Sequence, residues 1–306
     1  MAVSAVIETQ GLRKTYGRKI AVDDLTLQVA PGEIFGLIGP NGAGKTTSVK
    51  MLLGLAVPTA GEGRLLGMPL GRPQARARVG FLPEHFRFYD WLSARELLTL
   101  HAELYGLQAR AAQPRITRLL ELVDLAGTGP QPLRTFSKGM LQRLGLAQAL
   151  LNEPEVVILD EPTSGLDPLG RIQVREVMLD LRKRGVAVLL NSHLLSEVER
   201  TCDRVAFIKA GKVVHVEDLH ASPAEGLRLE LRTSPLSPET LQGLANWSTS
   251  IQQDDDHLLM SIAAEAQIPE INRYLVAQGA QVFALIPERV PLEELFLRIM
   301  GDEGGF

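Results

Sequence analysis

Short aliphatic runs alternate with helical patterns along the first two thirds of the chain. The runs EIFGLIG (33–39), VVILD (156–160) and VAVLLNS (186–192) are almost continuously apolar, which is typical of strands buried on both faces. Stretches with a helical period separate them. This alternation predicts an α/β fold in which a mainly parallel sheet is flanked by helices.

The segment from about 81 to 153 has helical periodicity and almost no strand pattern. Ser93 and Glu96 predict a capping box ahead of LLTLHAELYG, a helix that we expect to stop at Gly106. We expect Pro114 to open the next helix, PRITRLLELVDLA. The sequence therefore predicts a helical subdomain inserted into the sheet protein.

The last part of the chain predicts a second, smaller domain. VAFIKAGKVVHV is expected to form a hairpin that turns at Ala-Gly, and ASPAEG (221–226) to be a linker. Three alternating strands are then predicted at 227–232, 257–263 and 281–286, with helical patterns between them and PLEELFLRIM at the end. We predict a first domain over 1–217 and a C-terminal α+β domain, accessory or regulatory in role, over 218–306.

Composition narrows the class of protein. The 306 residues are 45% hydrophobic and 5% aromatic, which suits an aliphatic α/β protein. We see no secretory signal at the N-terminus and no apolar run of the roughly 18–20 residues that cross a bilayer. Cys202 is the single cysteine, so a disulfide framework is excluded and a reducing cytosol is expected.

Charge is unevenly distributed between the two predicted domains. Residues 217–306 carry 15 acidic and 5 basic side chains, whereas the first 216 residues carry 21 acidic and 27 basic ones. The acidic charge of the C-terminal segment argues against its binding to the phosphate backbone of a nucleic acid. We therefore expect no nucleic-acid partner for this segment.

The string GPNGAGKTT (39–47) fits the phosphate-binding pattern G-x-x-x-x-G-K-[ST], with Gly39, Gly44, Lys45 and Thr46 in register. It follows a predicted strand and precedes a helical run, as the pattern requires. Backbone N–H groups and the helix N-terminus favour phosphate oxygens, Lys45 can reach the β- and γ-phosphates, and Thr46 offers a hydroxyl to Mg²⁺. The other candidate binding positions in this string are Asn41, Gly42 and Thr47.

The string VVILDEP supplies two carboxylates at the end of a strand. Asp160 can hold Mg²⁺ through its hydration shell. Glu161 is then free to orient and deprotonate an attacking water. Together with the phosphate-binding loop, these residues predict a P-loop NTPase core.

The string FSKGMLQR (136–143) has no obvious chemistry of its own. Ser137 can cap the helix that follows, so that its hydroxyl and the Gly139 N–H sit where an anion is favoured. A serine that only caps a helix, without binding an anion, would fit the same sequence. The order of motifs is more specific: GPNGAGKTT, FLPE, FSKGMLQR, VVILDEP, SGLD and NSH.

That order resembles the ATP-binding subunits of ABC transporters, over residues from about 6 to 217. The resemblance implies that two chains sandwich two ATP molecules with Mg²⁺, and that Ser137 and Gly139 cap the γ-phosphate held by the partner's loop. The family pattern here is LSGGQ, from which Phe136, Lys138 and Met140 depart.

The resemblance also implies roles for four further residues. Tyr16 stacks on adenine, although a strand aromatic in the core would fit the same pattern. Glu84 replaces the usual glutamine at the hinge into the helical subdomain, where its carboxylate can accept from metal-bound water. Asp167 lies in the loop that crosses the dimer seam, and His193 contacts the γ-phosphate.

The tail, with NSHLLSEVE and the closing PLEELFLRI, resembles ATPases of drug-, lipid- and polysaccharide-type exporters. This implies a separate integral-membrane permease, with the aromatic run 84–96 at its docking surface, and an ATPase on the cytoplasmic face of the membrane. The second ATP-binding subunit is either an identical chain or a related one. Two alternatives remain at this point: a soluble ABC-type ATPase acting on ribosomes or DNA, and a nucleotide-binding regulatory module without turnover.

Overall fold

The chain divides into two compact units, Met1–Leu219 and His220–Phe306. The structure, a computed structural model, describes residues 4–220, 227–254, 257–288 and 290–301. The predicted linker at 221–226 lies outside the described residues. Among the described residues, no helix combines the length and the apolar character needed to span a membrane.

One ten-stranded sheet forms the centre of the first unit. Its strands, in chain order, are β1 (Ile7–Tyr16), β2 (Lys19–Val29), β3 (Ile34–Ile38), β4 (Ala60–Leu65), β5 (Met68–Pro69), β6 (Val79–Leu82), β7 (Val156–Asp160), β8 (Ala187–Asn191), β9 (Arg204–Lys209) and β10 (Lys212–Asp218). Their order across the sheet is β5-β4-β1-β2-β10-β9-β3-β8-β7-β6.

The predicted parallel core is the half of the sheet from β9 to β6. Neighbours there pair in parallel throughout, and every residue of β3, β7 and β8 is buried. Helices cover strands of this kind on both faces, which explains their continuous apolar sequences. The α/β fold class and the positions of these three strands are confirmed.

The other half of the sheet is mostly antiparallel. In it β1 pairs with β2 and with β4, and β4 pairs with β5. The predicted hairpin is confirmed as β9 and β10, with Ala210 and Gly211 both at positive φ in its turn. These strands carry polar residues at regular intervals, so no continuous apolar run marks β1, β2 or β4 in the sequence.

The described part of the first unit has seven α-helices. They are α1 (Lys45–Leu52), α2 (Pro73–Arg76), α3 (Ala94–Leu104), α4 (Ala109–Leu122), α5 (Lys138–Ala149), α6 (Pro168–Lys183) and α7 (Leu195–Thr201). Helices α3 to α5 lie in the chain between β6 and β7, within the segment that the sequence predicts to be helical. The capping box of α3 is confirmed, since Ser93 accepts from the Glu96 N–H and the Glu96 carboxylate accepts from the Ser93 N–H.

The predicted start of α4 is wrong. Pro114 lies inside the helix, which begins five residues earlier at Ala109, after an extended Gln108. The N–H groups of Ala111 and Ala112 donate to the Gln108 carbonyl at 2.9 Å and close the first turn. Alanine has the highest helix propensity, and Ala112 is buried, so the alanine-rich segment extends the helix past the position where proline alone would start it.

The second unit has a four-stranded antiparallel sheet. Its elements, in chain order, are β11 (Leu227–Thr233), α8 (Pro238–Leu244), β12 (Ser248–Asp254), β13 (His257–Ile262), α9 (Ile268–Ala277), β14 (Val282–Glu288) and α10 (Leu292–Gly301). The strand order is β12-β13-β11-β14, the split β-α-β arrangement of ferredoxin-like folds. Alternate residues Leu229, Leu231, Leu258 and Met260 are buried in its core against α8 and α9.

Candidate nucleotide site

The carboxyl ends of β3, β8 and β7 meet at one edge of the parallel sheet, where α/β proteins bind ligands. The phosphate-binding loop leaves β3 and enters α1 at Lys45. Two glycines give the loop its shape. Gly44 has φ of 108°, and a Cβ there would lie 2.5 Å from the Ala21 carbonyl oxygen; at Gly39 it would lie 2.2 Å from the Ile208 carbonyl oxygen. Side chains at these positions would therefore displace the loop from β2 and β9.

Lys45 is folded back over the loop. Its Nζ donates to the Gly39 carbonyl at 2.7 Å and to the Pro40 carbonyl at 3.2 Å. Burial lowers the pKa of Lys45, and the carboxylates of Glu161 and Asp160 oppose that shift. The loop thus holds a partly desolvated cation that contacts two backbone carbonyls and is attracted by two acidic side chains.

A cavity of about 430 Å³ lies over the loop. Nine of the residues predicted to act on the nucleotide line it, and they come from four separate parts of the chain. They are Asn41, Gly42, Gly44, Lys45, Thr46, Thr47, Glu84, Glu161 and His193.

The two carboxylates differ in their surroundings. Asp160 ends β7 and is 2% exposed; its Oδ1 accepts from the amide Nδ2 of Asn191, its register neighbour on β8. Burial raises the pKa of Asp160, and the Asn191 hydrogen bond opposes the rise. Glu161 follows with φ of 53°, a left-handed conformation that costs a non-glycine residue on the order of 1–2 kcal/mol.

The left-handed turn at Glu161 aims its carboxylate into the cavity. His193 Nδ1 lies 2.7 Å from Glu161 Oε2, and the histidine side chain is 59% exposed. Burial raises the pKa of Glu161, and the contact with His193 opposes that rise. A carboxylate whose pKa is raised by burial is a better proton acceptor than one in water, which is the property a general base requires.

Glu84 lines the cavity, whereas Tyr16 is not among its lining residues. Tyr16 ends β1 and pairs in register with Lys19, which lines the cavity. Its side chain is 52% exposed with Lys14 Nζ 5.0 Å from the ring centroid, so the alternative of a core aromatic is wrong. Glu84 follows β6 and faces the cavity with its carboxylate 46% exposed.

Ser137, Gly139 and Asp167 do not line this cavity. Ser137 caps α5, accepting from the Met140 N–H at 3.2 Å, and Asp167 caps α6, accepting from the Gly170 N–H at 2.7 Å. The two helix starts pack against each other, since a Cβ on Gly139 would lie 3.2 Å from the Leu166 side chain. The structure therefore brings FSKGMLQR and SGLD together at a place separate from the chain's own phosphate loop.

The donors around the cavity fit Mg²⁺ bound together with a nucleotide. The described residues hold no group of three or more His, Cys, Asp or Glu side chains that could bind a metal alone. Mg²⁺ in nucleotide sites generally takes one or two protein oxygens and fills its shell with phosphates and waters. Thr46 and Glu84 line the cavity, Asp160 lies behind it, and the buried Asn191 Oδ1 beside Asp160 has no hydrogen-bond partner.

Comparison with known proteins identifies the family. The family model described as ABC transporter matches residues 22–164. An uncharacterized ABC transporter ATP-binding protein of Synechocystis sp. is 39% identical, with 98% of this chain and 86% of the relative covered. The chain belongs to the ATP-binding subunits of ABC transporters. It is accordingly an ATP-binding protein and an ATP hydrolase.

Two further matches cover different shares of this ABC subunit. The Nod factor export ATP-binding protein I of Paraburkholderia xenovorans is 36% identical, with 98% of each chain covered. A solved structure of an ATP-binding subunit of an ABC transporter superposes with a TM-score of 0.65 at 34% identity, over 70% of this chain and 90% of that one.

Three residues of this ABC subunit belong to the site although no sequence motif predicted them as site residues. Lys19 and Ala21 of β2 line the cavity, and Asn191 joins β8 to Asp160. Asn191 is the first residue of the string NSH, and the position of that string in the motif order could have identified Asn191 as a site residue. Nothing marks Lys19 or Ala21, because β2 contributes no motif.

Proposed function

We propose that this ABC subunit binds ATP with Mg²⁺ between its own ATPase unit and that of a second ATP-binding subunit, identical or related, and uses its hydrolysis to drive export through a separate permease. The observation that carries the proposal is the separation of two features that the sequence predicts to bind phosphate. Lys45 and the loop face the chain's own cavity, whereas Ser137 caps a helix whose start lies outside it. In a pair of chains, each chain would place the start of its α5, with Ser137, at the cavity of the other chain.

In this proposal the loop N–H groups and Lys45 hold the β- and γ-phosphates, and Thr46, Asp160 and Glu84 hold the metal and its waters. Bound Mg²⁺ would neutralise charge that develops on the phosphates. Tyr16, exposed at the end of β1, stacks on the base. Asn41, Gly42, Gly44 and Thr47 complete the wall against the phosphates.

Glu161 is the proposed general base. Its carboxylate is 9% exposed and projects toward the cavity, so it can accept a proton from a water placed in line with the γ-phosphate. His193 contacts Glu161, and its side chain is largely exposed. We propose that it also contacts the γ-phosphate and so keeps the phosphate in line with the Glu161 carboxylate. Asp167, beside Ser137, is proposed to cross the seam to the partner.

Export and the membrane partner rest on similarity along the whole chain. The similarity to a Nod factor export protein covers both units, including the C-terminal one. We propose an integral-membrane permease as partner, with the ATPase peripheral on the cytoplasmic face, where ATP is available. The C-terminal unit is proposed to stabilise or regulate the dimer, and the residues around 84–96, where Tyr89 and Trp91 are exposed, to dock the permease.

Trapping the dimer tests the proposal. Glu161→Gln keeps the shape of the site and removes the proton acceptor, so the chain should bind ATP, fail to hydrolyse it and elute as an ATP-dependent dimer in size-exclusion chromatography. Adding Ser137→Arg should abolish that dimer while monomer ATP affinity stays the same, because bulk would block the seam and leave the chain's own loop untouched.

Ser237→Arg in the Glu161→Gln chain is the matched control. Ser237 caps α8 in the second unit with the same geometry, accepting from the Thr240 N–H at 3.2 Å. Loss of a cap costs the two helices about the same, on the order of 1 kcal/mol. If the Ser137→Arg variant still dimerises on ATP, Ser137 is only a helix cap and the composite site is wrong.

A further inference from the structure

Helix α5 carries a buried amide that the proposed reaction does not use. Gln142 is 3% exposed, although glutamine is usually found at the surface. Its Nε2 donates to the backbone carbonyl of Glu161 at 3.2 Å. A side chain from the helix that Ser137 begins therefore contacts the main chain of the proposed general base.

The backbone of Glu161 is held on both sides. Its N–H donates to the Asn191 carbonyl at 2.8 Å, and its carbonyl accepts from the Ser164 N–H at 3.1 Å and from Gln142. Glu161 is also left-handed, a conformation that a non-glycine residue keeps only where its surroundings enforce it. Rotation of this peptide would turn the carboxylate away from His193 and the cavity.

We infer that Gln142 is a positioning residue for Glu161, and that it links the start of α5 to the catalytic carboxylate of the same chain. Ser137 and Gln142 are five residues apart on one helix, about 7.5 Å along its axis. This inference rests on the proposed function. When the Ser137 end of α5 caps the partner's nucleotide, the same rigid helix fixes the peptide that aims Glu161 at the chain's own nucleotide.

The inference predicts a split between catalysis and binding. Gln142→Met keeps the length of the side chain and removes the donor. Misplacing a catalytic group by about 1 Å can cost roughly 100-fold in rate, so kcat for ATP hydrolysis by the full chain should fall about ten- to a hundredfold. ATP affinity should not change, and the ATP-dependent dimer of the Glu161→Gln chain should also form with Gln142→Met added. A buried amide that only stabilises the fold would instead lower the melting temperature without this loss of kcat.

Asn152→Leu is the matched control for losing an amide that donates to the main chain. Asn152 Nδ2 donates to the Ala77 carbonyl at 2.8 Å, away from Glu161. Gln142→Leu is the second variant; it keeps an aliphatic side chain in the buried position and has no hydrogen-bond donor, so the same fall in kcat is expected. A kcat within twofold of wild type in either folded Gln142 variant, or an equal fall in Asn152→Leu, overturns the inference.

Failure of the proposed function would look different. If the composite site is wrong, either the Glu161→Gln chain does not dimerise on ATP or its dimer survives Ser137→Arg, whatever residue stands at 142. If only the role of Gln142 is wrong, that dimer forms and the Gln142 variants hydrolyse ATP normally. The two results come from the same set of proteins.

Discussion

His193 Nδ1 lies 2.7 Å from Glu161 Oε2, and the two residues follow adjacent parallel strands, β8 and β7. Both residues line the cavity. The histidine remains 59% exposed, so its other edge is open to a bound phosphate. A single imidazole can therefore contact both the base and the nucleotide.

We expect His193→Ala to lower kcat for ATP hydrolysis by about 100-fold, the cost of misplacing a catalytic group by about 1 Å. The loss of rate should exceed any loss of ATP affinity, because the loop and Lys45 remain. Steady-state phosphate release and nucleotide titration measure the two effects. His215→Ala is the control: His215 Nε2 lies 2.8 Å from Glu217 on β10, outside the cavity, and its loss should leave kcat unchanged. Equal effects of the two variants would contradict the role of His193.

Lys45→Ala should weaken ATP binding by roughly 10- to 150-fold, the value of a charge-assisted hydrogen bond of about 1.5–3 kcal/mol. Titration with a fluorescent ATP analogue measures the affinity. Lys50→Ala provides the comparison, since Lys50 is exposed on the same helix and does not line the cavity. The ATP affinity of Lys50→Ala should stay within about twofold of wild type. An unchanged ATP affinity in Lys45→Ala would refute the assignment of the loop as the phosphate site.

A chain that ends at Leu219 should still bind ATP with the affinity of the full chain. All nine predicted residues that line the cavity lie in the first unit, and the second unit has its own core around Leu229 and Leu231. The same nucleotide titration tests this, with circular dichroism to show that the shortened chain is folded. Loss of binding in a folded chain would mean that the second unit contributes to the site.

Low pH should weaken one ion pair inside the second unit, between Arg228 and Glu294. Arg228 on β11 donates two hydrogen bonds of 2.6 Å to Glu294 on α10, and they hold the pKa of Glu294 below its ordinary value. A lowered folded-state pKa means that this stabilisation is complete above the pKa of the unfolded carboxyl, about 4.3, and is lost as the pH falls through the folded value. Because both side chains are partly exposed, the pair should contribute about 1 kcal/mol or less.

Glu294→Gln should accordingly lower the melting temperature of the full chain's second unit at pH 7. The difference from wild type should shrink below about pH 4.3 and vanish once the pH is below the lowered folded-state pKa of Glu294. Glu293→Gln is matched to it, since Glu293 lies in the same first turn of α10 and is exposed. Thermal unfolding followed by circular dichroism at several pH values separates the two. A difference that persists at low pH would show that charge is not the cause.

The sequence by itself determined the features that depend on residues close together in the chain. Gly39 to Thr47 specify a loop because glycine conformations and a helix start are local properties, and Ser93 with Glu96 specify a cap for the same reason. The apolar runs of β3, β7 and β8 indicate burial on both faces. Pro114 shows the limit of such signals, since the alanines before it and the burial of Ala112 extend α4 past it.

Only the tertiary structure decided which of these features meet. Asp160 and Asn191 are 31 residues apart, and they pair because β7 and β8 are neighbours in the sheet. Gln142 reaches Glu161 because α5 packs against β6, the neighbour of β7 in the sheet. Strand order and peptide orientation depend on the packing of segments far apart in the chain, and local sequence does not encode that packing.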